Sequence, residues 1–149
     1  MDIVEVSEHN LKDLFELNKV LASEENQADL FTASLSQYRA VILGERSAVG
    51  AFVCTLNSEA VGFYIYLYKF ASYLGEPVLY IEDIYLNQAC RLKYLPLLLG
   101  HAVQRAKDSG CCRVEMRVLK NYNMGCEAIN KAGFCKIDKW DVFRFTEAL

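Results

Sequence analysis

Apolar positions along this chain change period several times, and each change marks an element. Asp2 to Val6 alternates and predicts a strand; Ser7 follows as a cap for a helix whose stripe is Leu11, Leu14, Leu17 and Leu21, ending near Ala22 and Ser23. The polar run Glu24 to Gln27 is a connector, after which Thr32 caps a short helix carrying Leu35 and Tyr38 and ending before Gly44. Gly50 to Leu56 and Glu59 to Tyr68 are two strands joined through Asn57-Ser58, a hairpin signal. On the second strand Phe63, Ile65 and Leu67 alternate with Tyr64, Tyr66 and Tyr68, so both faces are bulky, as in a central strand.

Phe70 to Pro77 is a loop, and Val78 to Leu86 the next strand. Proline suits a first helical position, so a helix is predicted from Pro96 to Asp108 with Gly110 as terminator. Cys112 to Val118 is a further strand, Gly125 or Cys126 to Ala132 a short helix closed by Gly133, and Lys136 to Thr146 an alternating C-terminal stretch. Met116 and Trp140 belong to the core by this reading. Single strands alternating with helices around a hairpin give an α/β chain with a central mixed sheet flanked by helices.

At 149 residues the chain fits one domain, burying roughly 70% of its unfolded surface. Its formal charge of −3 gives no electrostatic reason to expect nucleic acid or an anionic membrane, and mildly favours a cationic partner. No apolar run approaches the roughly 20 residues of a membrane span. The start Met1 to Val6 lacks a basic leader followed by an apolar stretch, so a cytoplasmic location is expected. Six cysteines without a C-x-x-C pair, and two histidines, read as buried thiols rather than as a metal or disulfide set.

The chemistry concentrates in Tyr80-Ile81-Glu82-Asp83-Ile84-Tyr85-Leu86, a strand bearing adjacent carboxylates, and in Arg91-Leu92-Lys93-Tyr94-Leu95-Pro96 after it. Neighbouring strand positions face opposite ways, so both carboxylates share one pocket only if a bulge intervenes. An unpartnered buried carboxylate is costly, so the alternative role for each is an ion pair.

With Gly62-Phe63-Tyr64, the Gly110-Cys111 turn, Val118-Leu119, Lys131-Ala132-Gly133-Phe134 and Trp140 before Phe143-Arg144, these words in this order resemble the GNAT superfamily of N-acetyltransferases. The nearest likeness is to its spermidine/spermine and thialysine branch. The resemblance implies a single GNAT domain over 1–149 that takes acetyl-CoA where two parallel strands splay and passes the acetyl group to a small primary amine. It implies Glu82 and Asp83 as catalytic residues. Cofactor contacts would come from Ile84, Leu86, Arg91, Leu92, Lys93, Tyr94, Leu95, Pro96 and Asn123, and substrate contacts from Glu24, Glu25 and Tyr73. It also implies a homodimer involving Trp140, Phe143 and Phe145.

Two departures from the family pattern stand out. The anion-binding loop of the family uses glycines or small residues where this chain has Leu92, Tyr94 and Pro96, and bulky side chains restrict the close backbone approach that such a loop needs. Arg91 reads either as a phosphate contact or as a surface residue. The general-acid tyrosine of the family falls on Ile129, which cannot donate a proton, and Tyr122 is the nearby phenol. The alternative function is therefore a GNAT fold without acyl transfer, serving as a small-ligand or protein-interaction module.

Overall fold

The structure, a computed structural model, describes residues 1–119 and 123–145. Five strands form one sheet in the spatial order of the chain: β1 (Asp2–Glu5), β2 (Val49–Leu56), β3 (Glu59–Ala71), β4 (Glu76–Leu86) and β5 (Arg113–Met116). The first four are antiparallel, and β5 joins β4 in parallel after a helical crossover. The helices are α1 (Leu11–Glu24), α2 (Leu35–Ile42), α3 (Gln88–Asp108) and α4 (Asn123–Lys131). This is the expected mixed α/β sheet flanked by helices.

Each face of the sheet has its own core. Leu79, Ile81 and Leu86 of β4 pack with Tyr64 and Tyr66 of β3 beneath Leu95, Leu98 and Leu99 of α3 and Ala128 and Ile129 of α4. On the other face Val53, Phe63, Ile65 and Tyr85 meet Leu11, Leu14 and Leu21 of α1, with Tyr38 and Ile42 of α2 at the edge. The alternation on β3 thus reflects two covered faces, as its bulky pattern predicts.

Local chemistry sets the boundaries. Asn57 and Ser58 both have positive φ, 50° and 69°, the conformation that a two-residue hairpin turn needs. α2 is capped by Ser34 rather than Thr32: the Gln37 amide N–H donates to the Ser34 hydroxyl at 3.3 Å, and the Ser34 N–H donates to the Gln37 side chain at 2.7 Å. Gly110 and Gly133 close α3 and α4 at φ 68° and 90°.

Three further expectations need correction. α3 begins at Gln88, not at Pro96, so Arg91 to Pro96 is helix rather than loop. Pro96 lacks an N–H for the carbonyl four residues back, that of Leu92; because Leu92 is 64% exposed, water can serve that carbonyl, and the helix runs through. The β3–β4 pairing extends from Gly62↔Leu86 to Ala71↔Glu76, so most of the expected loop at 70–77 is strand. The stretch from Lys136 onward holds no strand among the described residues, and Ile137, Trp140, Val142, Phe143 and Phe145 lie exposed there, Trp140 outside the core.

Candidate active site

Near its C-terminal end β4 contains one residue more than β3 can match. Ile65 opposes Asp83 while Tyr66 opposes Ile81, so Glu82 is the extra residue of a β-bulge. The bulge reverses the facing of everything after it. Leu79 and Ile81 point toward α3, whereas Asp83 and Tyr85, which simple alternation would put on the same side, point toward α1 and α2.

Asp83 consequently enters a cleft of about 140 Å³ lined by Asn18, Leu21, Ala22, Glu25, Gln27, Leu30, Phe31 and itself. Asn18, a polar residue at a buried position of α1, donates to the Tyr38 hydroxyl at 2.7 Å and to Asp83 Oδ2 at 3.5 Å. Burial raises the Asp83 carboxyl above the usual aspartate range, the Glu82 charge pushes the same way, and the Asn18 amide and the Arg117 charge oppose them. Glu25 is raised as well, first by burial and then by the Asp83 charge, with Arg117 again opposing. Tyr38 is pushed up to about 12 by burial and by Asp83. Two carboxyl groups, each raised by burial, therefore face one cleft, an arrangement suited to receiving an ammonium group.

Glu82 does not share the cleft lining; it pairs with the Arg117 guanidinium, just beyond β5. Glu24, one residue before Glu25, turns the opposite way. It accepts from Arg91 Nη2 at 2.7 Å and from the Tyr85 hydroxyl at 2.9 Å, while Arg91 also donates to the Leu86 carbonyl. Arg91 is thus buried against β4. Tyr73 sits 97% exposed in the β3–β4 turn, at the opposite end of β4 from Asp83, about 20 Å or more along the strand.

The cofactor side is shaped by the same strand. β4 and β5 pair only from Val78↔Arg113 to Ile81↔Met116, and β4 then continues alone through Ile84 to Leu86. Its edge N–H and C=O groups there face no β5 partner. Within α3, Leu92 and Lys93 are exposed, Lys93 lies 4.9 Å from the Tyr94 ring, Leu95 is buried, and Pro96 is half-buried. Ile129 is buried with the α3 core, so an aliphatic group fills that place. Asn123 begins α4, but its side chain, and Tyr122 entirely, fall outside the described residues. Among the described residues no group of His, Cys, Asp and Glu is placed to hold a metal ion.

Sequence reasoning gave Glu82 and Asp83 a catalytic role and Glu24 and Glu25 a substrate-binding one, without separating the two members of either pair. It missed Asn18, Tyr38 and Arg117. Asn18 had left a signal, because it interrupts the apolar stripe of α1 at a core position.

Known proteins share this fold. A thialysine N-ε-acetyltransferase of Caenorhabditis elegans is 25% identical over 99% of this chain and 92% of its own. A solved aminoglycoside acetyltransferase from an uncultured soil metagenomic sample, in complex with sisomicin, superimposes with a TM-score of 0.82 at 14% identity, covering 99% of this chain and 96% of that one. An aminoglycoside N-acetyltransferase in complex with CoA gives 0.72 at 16% identity, over 97% and 98% of the two chains. Residues 11–134 match the Acetyltransferase (GNAT) family, and the chain belongs to that family.

Proposed function

We propose that this protein transfers the acetyl group of acetyl-CoA to a primary amine on a small molecule. The observation that carries this reading is the placement of Asp83 and Glu25 around one cleft, beside the stretch of β4 that pairs with β3 but extends past β5. Relatives named for acetylating thialysine and aminoglycosides support an amine acceptor.

Acetyl-CoA fits part of this surface. The open edge of β4 from Asp83 to Leu86 offers backbone groups to an amide-bearing arm, as a sheet edge does to an added strand. Residues 92–95 have their N–H groups inside a helix and Pro96 has none, so the diphosphate would instead meet the uncommitted N–H groups of the first turn of α3, at Gln88 and Ala89. Exposed Lys93 lies one turn further along and adds positive charge. When bound, the thioester supplies the acetyl group.

The chain's own residues do the remainder. An acceptor enters as an ammonium between Glu25 and Asp83, and Asp83 takes its proton, directly or through a water, leaving an amine lone pair. A carboxyl raised by burial is better matched to this exchange near neutral pH than an ordinary aspartate. Asn18 and Tyr38 fix the orientation of Asp83, and N–H groups on the β4 edge are the donors for developing negative charge on oxygen. No dedicated acid is needed at Ile129, because a thiolate leaves readily and orientation supplies much of the rate.

A homodimer fits the apolar residues exposed between Ile137 and Phe145, and a cytoplasmic location fits six free thiols. Incubating the protein with acetyl-CoA and a panel of lysine, thialysine, a polyamine and an aminoglycoside, with product detection by mass spectrometry, tests the activity. No acetylated product from any amine, together with no acetyl-CoA binding by calorimetry, overturns it.

A further inference from the structure

Three acidic side chains meet near the end of β4, yet one of them is already matched. Glu82 leaves the strand pleat at the bulge and is paired with Arg117, whereas Asp83 and Glu25 have no such ion pair among the described residues. Arg117 still influences both of them, since its charge lowers each. Its side chain is 57% exposed, and a guanidinium carries five N–H donors, more than Glu82 can use. Met116 pairs with Ile81, so Arg117, the next residue, stands beside the bulge that turns Asp83 into the cleft, and the site has an acidic pair inside the cleft and, next to it, a cation held by Glu82.

We propose that Arg117 is a specificity-determining residue, selecting acceptors that carry an ammonium at one end and a carboxylate or uncharged group at the other, and rejecting diamines and polyamines. This inference rests on the proposed amine acetylation. An α,ω-diamine that places one ammonium between Asp83 and Glu25 brings its second toward the guanidinium, which repels it. A lysine-like amino acid of the same chain length brings a carboxylate, which the remaining N–H donors of Arg117 can bind, and this carboxylate also balances the α-ammonium. Glu82 acts here as a positioning residue, fixing the guanidinium through their ion pair.

L-lysine and cadaverine isolate the effect, because they differ only by that carboxylate. The wild-type protein should favour lysine by about tenfold or more in kcat/KM, the effect of one partly exposed charge contact, and the preference should fall mainly on KM. Arg117→Ala should bring the two amines close to parity, Arg117→Lys should retain a preference for lysine, and Arg117→Glu should favour cadaverine. A gain for cadaverine in the charge-reversed variant is a result that loss of folding cannot produce. Calorimetric titration of both amines into the protein without acetyl-CoA reads the same ratio independently of turnover. Equal use of the two amines by the wild type, or an unchanged lysine preference in Arg117→Glu, overturns the assignment of Arg117 and leaves the acetyltransferase reading standing. Binding with the stated preference but no acetylation does the reverse. Failure of both amines to bind or react overturns both.

Discussion

Arg91 Nη2 lies 2.7 Å from Glu24 Oε2, so the first turns of α3 are tied to the last residue of α1. The Arg91 side chain is 9% exposed and that of Glu24 39%, which makes the pair largely buried on one side only. Truncating Arg91 to methionine strands the Glu24 carboxylate and leaves the Leu86 carbonyl short of donors. The expected cost is about 2–3 kcal/mol in urea unfolding, discounted from a fully buried pair for the exposure of Glu24. Because Arg91 acts through this tie, Glu24→Gln and Arg91→Met should weaken acetyl-CoA binding to a similar, small extent. A large loss confined to Arg91→Met would instead mark it as a phosphate ligand.

Asp83→Asn should trade activity for stability. A carboxyl raised in the folded protein takes up protons more readily there than in the unfolded chain. Its ionisation therefore opposes folding above the folded pKa, and that penalty disappears as pH falls below the unfolded value near 3.8. The amide variant should melt higher at neutral pH, by about 1 kcal/mol or roughly 2–4 °C, with the gain vanishing below about pH 4. Its kcat should drop by about 10²-fold or more, as for loss of a general base. Equal melting temperatures at pH 7 would show that Asp83 titrates as an ordinary surface aspartate.

Pro96→Ala should stabilise the chain, because it restores a donor to the Leu92 carbonyl inside α3. The penalty for proline within a helix, about 3 kcal/mol, is offset here by water at an exposed carbonyl and by the stiffening proline gives the unfolded chain. A net gain of about 1 kcal/mol in thermal or urea unfolding is expected. A loss of stability would mean that the helix needs the bend that proline imposes.

The order of strands and helices was legible because each sheet face and helix stripe carries its own period. What the period could not reveal was where β4 changes facing. Asp83 and Tyr85 follow Leu79 and Ile81 at even spacing, and only the register against Ile65 and Tyr66 exposes the extra residue at Glu82. The start of α3 was misplaced for another reason. Proline favours a first helical turn, but the exposed carbonyl of Leu92 lets Pro96 sit within the helix, so a local preference yielded to solvent access. The split between Glu24 and Glu25 depends on Arg91 and Asp83, partners distant in sequence. In the C-terminal stretch the alternation read from Lys136 to Thr146 corresponds to no strand among the described residues, and Ile137, Trp140 and Val142 lie in solvent.

Gly62→Ala probes the closeness of β3 to the site strand. A Cβ at Gly62 would lie 2.4 Å from the Tyr85 carbonyl oxygen and 2.5 Å from a Leu86 methyl carbon, and the former is backbone that cannot swing aside. The expected cost is about 1–3 kcal/mol, with reduced acetylation because Tyr85 and Leu86 must shift. Unfolding curves that superimpose on those of the wild type would contradict this.

The extra residue in β4 also works as a reading frame for the site. A regular pleat that kept Glu82 in line would retain every amino acid yet exchange the audience of each: Asp83 and Tyr85 would turn into the hydrocarbon beneath α3, and Ile84 and Leu86 would face the cleft, whereas deleting Glu82 alone would remove the bulge and leave Asp83 facing the cleft. Single-residue insertions and deletions between Asp83 and Leu86 should therefore be far more damaging than deletion of Glu82 itself, and transferring this site to another member of the fold would require matching the facing that the bulge sets as well as the carboxylates.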